Sequence, residues 1–382
     1  MNILFITRKY PPQVGGMEKY SYNLIKYWPS EKQVIFLNKS QWNLVWWLPW
    51  AFLKSLLLVL QYSRAREQEK SSSIPLLQRG KKEGFPFNLI YVCDGMLAPL
   101  GYLLKKITKI PVAATACGLD ITYPKRWYQE VVIPSLKKLD KIICISNATL
   151  EECVKRNIPR EKLVFIPVGI EMKLKNKNGK IKIANKNLKI TNLNIDLRNR
   201  KVLLTVGRLV ARKGVAWFCE NVMTKIPQNI IYLVIGTGPE KENIINIIEK
   251  YKLKNQVFLL GKLSDKDLEK VYKISDIFVM PNIKVKGDME GFGIVVLEAT
   301  NYGLPVVASD LEGISDAIKS GENGILVPSQ NTEEFIRQIN ILLKDQEKKQ
   351  ALILRALKYN QEIFSWRKIV KQYYHELQIC CH

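Results

Sequence analysis

Runs rich in Val, Ile and Leu occupy 2–7, 33–37, 89–92, 111–115, 141–145 and 163–166. Between them lie stretches whose apolar residues recur at helical spacing, such as 18–28, 95–107 and 147–156. When strands alternate with helices, each strand reaches the next by a crossover above the sheet. The sheet is then parallel, with both faces covered. The same rhythm resumes at Val202–Val206. It continues through Ile230–Ile235, Val257–Leu260, Ile277–Met280, Val306–Ala308 and Gly324–Val327. Residues 173–200 separate the halves, rich in Lys and Asn and poor in large apolar side chains, as a solvated linker would be. At 382 residues the chain has room for two cores.

The expected class is therefore α/β, with two doubly wound Rossmann-like domains facing each other across a cleft. An N-terminal domain would span 1–172 and a C-terminal domain 201–364. Residues 365–382 would form a last helix that crosses back to the first domain. In such sheets ligands bind at the carboxyl ends of the strands, here in the interdomain cleft.

Several chemistries are disfavoured by composition. The only histidines are His375 and His382, so a Ser-His-Asp hydrolase or a His-rich zinc site would have to be built from the tail. Seven cysteines without a CxxC pair fit a reducing compartment. Met1–Thr7 has no basic leader and reads as a strand instead of a signal peptide. The excess of 59 Lys and Arg over 35 Asp and Glu, a formal charge of +24, favours phosphate-bearing partners. Those cations form no nucleic-acid motif, and no nucleic-acid partner is expected.

One segment of the first half departs from the pattern. Residues 42–62 are strongly apolar and hold Trp42, Trp46, Trp47 and Trp50, with Arg64, Arg66 and Lys70 following. Asn43, Pro49, Lys54 and Ser55 interrupt it, so a helix lying on an anionic bilayer surface explains it better than a span. A buried helical hairpin is the alternative. Arg79–Gly84 would close the insertion as a loop.

Three loops carry the candidate chemistry. Gly15 and Gly16 follow the first strand and lead into a helix Lys19–Trp28, where backbone N–H groups could approach a ligand; a plain tight turn explains them equally well. Arg208 and Lys213 sit in Gly207–Gly214 at a strand exit. They suit a diphosphate as fork and point charge, or are ordinary surface cations. Glu290 stands at the entry of a buried helix Gly293–Asn301. The N–H groups of Phe292, Gly293 and Ile294 would suit a phosphate. Glu298 lies two turns on, where a sugar diol or a neighbouring cation would satisfy its carboxylate.

The motifs Pro-Pro-x-x-Gly-Gly-x-Glu at 11–18, Gly-Arg-Leu-x-x-x-Lys-Gly at 207–214 and Glu-x7-Glu at 290–298 resemble those of GT-B retaining glycosyltransferases of family 4. Gly303–Ala308, Gly236–Pro239 and Gly321–Pro328 also match, so the resemblance covers nearly the whole chain. It implies transfer of a sugar from a nucleotide-diphosphate-sugar, with retention and without a metal or other cofactor. Arg208 and Lys213 would hold the diphosphate, Glu290 would face the donor sugar, Glu298 would bind the ribose, and Gly16 would let the first domain approach. Cys117 occupies the position where the family has a donor-contacting His, which puts donor choice or turnover in question. Asp120 would shape the acceptor side.

The expected protein is a peripheral enzyme on the cytoplasmic face of a membrane, with a lipid-linked or membrane-proximal acceptor. Two alternatives remain: a GT-B sugar-nucleotide epimerase, and a non-catalytic membrane scaffold. The intact Arg208, Lys213, Glu290 and Glu298 argue against the scaffold.

Overall fold

A computed structural model of the chain describes residues 1–13, 15–37, 40–71, 87–172, 197 and 199–381, with backbone only for 62–71. The Arg79–Gly84 loop and nearly all of the 173–200 linker lie outside the described residues, as do the side chains of Arg64, Arg66 and Lys70. The chain divides into two compact units. Unit 1 holds Met1–Gly169 and Trp366–His382, and unit 2 holds Ile170–Ser365.

Unit 1 is a parallel sheet of six strands: β1 (Ile3–Thr7), β2 (Lys32–Phe36), β3 (Leu89–Val92), β4 (Val112–Ala116), β5 (Lys141–Cys144) and β6 (Leu163–Phe165). Their order is β2-β1-β3-β4-β5-β6. β1, β3 and β4 are buried along their whole length, as strands sandwiched between helices must be. The helix Trp366–Gln378 completes this unit. Its Tyr373 hydroxyl lies 2.9 Å from that of Tyr20, which in turn meets the Thr115 hydroxyl at 2.7 Å, so the polar tips of a buried aromatic cluster satisfy one another.

Unit 2 repeats the plan with β7 (Lys201–Val206), β8 (Ile230–Ile235), β9 (Val257–Gly261), β10 (Ile277–Met280), β11 (Val306–Asp310) and β12 (Ile325–Pro328), ordered β12-β11-β10-β7-β8-β9. Chain direction across each sheet reverses beside its first strand. β1 is flanked by β2 and β3, and β7 by β8 and β10. The loops leaving β1 and β3, and those leaving β7 and β10, therefore part to opposite sides and open a crevice at the strands' carboxyl ends.

The Trp-rich segment is a short turn, Gln41–Asn43, followed by the helix Leu44–Ser71. Trp47, Ala51 and Ser55, four residues apart, face inward and are buried. The Trp47 indole N–H donates to the Phe36 carbonyl at 3.2 Å, tying the helix to the end of β2. The expectation that all four tryptophans meet the bilayer is thus corrected: Trp47 belongs to the core. Leu56, Leu58 and Val59 also pack against that core. The opposite face leaves Trp46, Trp50, Leu53, Leu57 and Leu60 more than half exposed, at helical spacing, with Trp42 93% exposed in the preceding turn. The described stretch Gln41–Gln61 is long and apolar enough to cross a membrane by length and composition alone.

Candidate active site

In unit 2 the neighbouring β7 and β10 bring two distant loops together. The β7 exit turns at Gly214, whose φ of +64° suits glycine, and a Cβ there would lie 1.8 Å from the Pro281 carbonyl oxygen. This close approach sets Lys213 beside the loop leaving β10. Glu290 Oε2 accepts hydrogen bonds from Lys213 Nζ, from Arg212 Nη1 and, at 3.0 Å, from Asn282 Nδ2. Arg212 Nε also donates to Asp288 Oδ1 at 2.9 Å.

Burial by itself would raise the Glu290 carboxyl. The Lys213 and Arg212 charges and their hydrogen bonds outweigh it and hold the group at about 2, so it is ionised at neutral pH. Glu290 and Lys213 are both at least nine-tenths buried. Lys213 is therefore not the free strand-exit cation that its position in the sequence suggests, but half of a buried ion pair. Arg208 differs: it is exposed and makes no side-chain hydrogen bond or ion pair among the described residues.

The helix Ile294–Asn301 starts from Gly293 in the left-handed conformation. Among the described residues no acceptor meets the N–H groups of Phe292, Gly293 or Ile294, leaving the positive helix end available to an anion. Glu298 sits on the flank of this helix and is half-buried, not buried as its apolar neighbours suggest.

The remaining candidates belong to unit 1. The helix expected at Lys19–Trp28 spans Gly16–Lys26, so Gly16 is its first residue and Gly15 its N-cap. A Cβ on Gly15 would lie 2.3 Å from Glu18 Oε2, and buried Glu18 pairs with Lys9 at 3.1 Å. That pair accounts for the Glu of the first motif. Asp120 accepts from the Gly95 N–H at 2.8 Å and the Cys117 N–H at 2.7 Å, and burial pushes its carboxyl up to about 6. Burial, with Asp120 nearby, pushes the half-buried Cys117 thiol well above its ordinary range, so it is neutral. At the switch beside β1, Arg8 Nε donates to Asp94 Oδ1 at 3.1 Å, and Arg8 Nη1 donates to Gln41 at the root of the Trp-rich helix.

The structure thus gathers Lys213 and Glu290, and places Gly293 and Glu298 on the helix that follows. Arg212, Asn282, Asp288 and Glu312 around Glu290, and Arg8 and Asp94 in unit 1, escape a reading of the sequence. Arg212 stands next to Lys213 and was findable as a third cation; the others carry no local signal. Among the described residues no three His, Cys, Asp or Glu side chains are grouped as a metal site.

The profile of the family "glycosyl transferases group 1" matches residues 192–359. An uncharacterized glycosyltransferase of Methanocaldococcus jannaschii is 27% identical over 298 residues, 75% of this chain and 74% of the relative. The UDP-Gal:alpha-D-GlcNAc-diphosphoundecaprenol alpha-1,3-galactosyltransferase of Escherichia coli is 25% identical over 289 residues, 71% of this chain and 70% of the relative. Among solved structures, Anabaena HepE in complex with UDP superposes with a TM-score of 0.74 at 18% identity, covering 99% of this chain and all of that one. The chain has GT-B architecture, its residues 192–359 match glycosyl transferases group 1, and the two together support a transferase.

Proposed function

We propose that the protein transfers a sugar from a nucleotide-diphosphate-sugar to a lipid-linked or membrane-proximal acceptor, retaining the anomeric configuration and using no metal. The observation that carries the donor half is the buried Lys213–Glu290–Arg212 cluster beside the open N-terminus of the helix Ile294–Asn301. Lys213, exposed Arg208 and the N–H groups of Phe292, Gly293 and Ile294 supply positive charge for a diphosphate. Glu290, ionised and fixed by three donors, faces the sugar, and Glu298 takes the ribose hydroxyls. HepE has been solved with UDP and with UDP-glucose, which supports a donor of this class.

In the proposed step the bond from the anomeric carbon to the phosphate oxygen breaks, and the acceptor oxygen bonds to the same face. The acceptor hydroxyl's proton passes to the departing phosphate. Lys213 and Arg208 stabilise the charge on the leaving group, and positioning supplies the rest. Asp120, in unit 1, orients the acceptor.

The acceptor half rests on the exposed Trp46, Trp50, Leu53, Leu57 and Leu60 stripe, an apolar face on a strongly basic protein. The name of the E. coli relative specifies a diphosphoundecaprenol-linked acceptor, which supports the same reading. We place the protein on the cytoplasmic face of a membrane. The test is a panel of nucleotide-sugars, screened in EDTA for thermal stabilisation and hydrolysis, with product configuration read by NMR. Absence of stabilisation by every nucleotide-sugar refutes the donor reading. Loss of turnover in EDTA refutes the metal-free one, and an inverted product refutes retention.

A further inference from the structure

Glu290 is held through its backbone as well as its side chain. Its N–H donates to Glu312 Oε2 at 2.6 Å, and its carbonyl accepts from the Gly313 N–H at 3.2 Å. Both partners come from one turn, between β11 and the helix Ile314–Ala317. The turn is pressed against the Glu290 loop: a Cβ on Gly313 would lie 2.1 Å from the Gly291 carbonyl oxygen.

Glu312 itself has φ of +51°, in the left-handed region where glycine is the favoured residue. Its carboxylate is partly out of water and is repelled by the nearby carboxylate of Glu290, and burial with this repulsion raises its pKa despite the hydrogen bond from the Glu290 N–H. Neither its backbone conformation nor its charge is what this position would choose for stability alone. What the side chain gains is the hydrogen bond to Glu290.

We propose that Glu312 is a positioning residue for the transfer reaction, clamping the Glu290 backbone so that its carboxylate stays aligned with Lys213 and the donor sugar. The proposal rests on the donor-facing role of Glu290 given above. Its logic separates function from folding. Glu312→Gly removes the clamp while giving the turn the residue its backbone prefers. Glu312→Gln keeps an oxygen that accepts from the same N–H.

The experiment compares wild type, Glu312→Gly and Glu312→Gln as full-length protein, by steady-state kinetics on the donor found in the nucleotide-sugar screen, by thermal melting, and by hydrogen exchange at the Glu290 amide. Glu312→Gly is expected to melt at or above the wild-type temperature and to lose about ten- to a hundredfold in kcat with little change in KM. Its Glu290 amide should exchange faster. Glu312→Gln should recover most of kcat and the protection.

Wild-type kcat in Glu312→Gly, or an unchanged Glu290 amide, overturns the proposal. So does a kcat loss matched by a fall in melting temperature, which is what a merely structural role gives. The exchange readout needs no turnover. Failure of the donor reading would show as a wild type that binds and turns over no nucleotide-sugar, while failure of the clamp would show at the amide.

Discussion

Replacing Glu290 by Gln tests the electrostatics of the site directly, because shape is kept and charge is lost. Glu290 Oε2 holds both buried Lys213 and Arg212. Removing one member of a buried pair costs about 3–5 kcal/mol, since the partner is left charged and out of water. Arg212 retains Asp288, and a Gln oxygen still accepts from Lys213, so the lower end of that range applies. A second route gives the same figure. A carboxyl held at about 2 against an ordinary 4.5 corresponds to roughly 3 kcal/mol of stability at neutral pH. For a domain of this size, that lowers the melting temperature by about 6–12 °C.

The sign of the pH dependence follows. The folded state keeps Glu290 ionised below its unfolded value, so its contribution is present above about 4.5 and is lost as pH falls towards 2. The gap in melting temperature between wild type and Glu290→Gln should therefore close on acidification. Thermal melts of wild type, Glu290→Gln, Lys213→Met and the double variant across that range form the assay. The double variant should be about 1–3 kcal/mol more stable than the sum of the single losses implies. Strict additivity, or a gap that does not change with pH, would refute the buried-pair argument.

Arg208→Ala should weaken donor binding or turnover by about ten- to a hundredfold while leaving the melting temperature in place, because its side chain is exposed; kinetics and melting on one preparation check both. Lys213→Ala, by contrast, should lose stability as well as donor binding. Asp120 behaves opposite to Glu290. Its folded value near 6 lies above the ordinary 3.8, so the folded state holds the proton more tightly and stability falls as pH rises between those values. Asp120→Asn should flatten that slope in denaturant titrations, and an unchanged slope would count against the assignment. Changing Trp42, Trp46 and Trp50 to Ser should abolish flotation with anionic liposomes and leave donor hydrolysis intact, whereas Trp47→Ser should lower the melting temperature through lost core packing. A wild type that stays soluble at low salt removes the membrane reading.

The strand positions were legible in the sequence because a strand covered on both faces must be an unbroken apolar run, as at Leu89–Val92 and Ile230–Ile235. The glycine motifs were legible for a related reason: where one backbone passes close to another, as at Gly214 against Pro281, no other residue fits. The partnerships were not legible. Lys213 and Glu290 stand 77 residues apart and meet only because β7 lies beside β10. Asn282 and Glu312 acquire their roles from the same strand order and look like ordinary loop residues without it. Trp46 and Trp47 are identical neighbours, yet one is 81% exposed and the other is buried on the Phe36 carbonyl. Composition places both on an apolar helix. Which of them turns inward depends on the rotation of that helix against β2, a matter of packing between elements that local sequence does not encode.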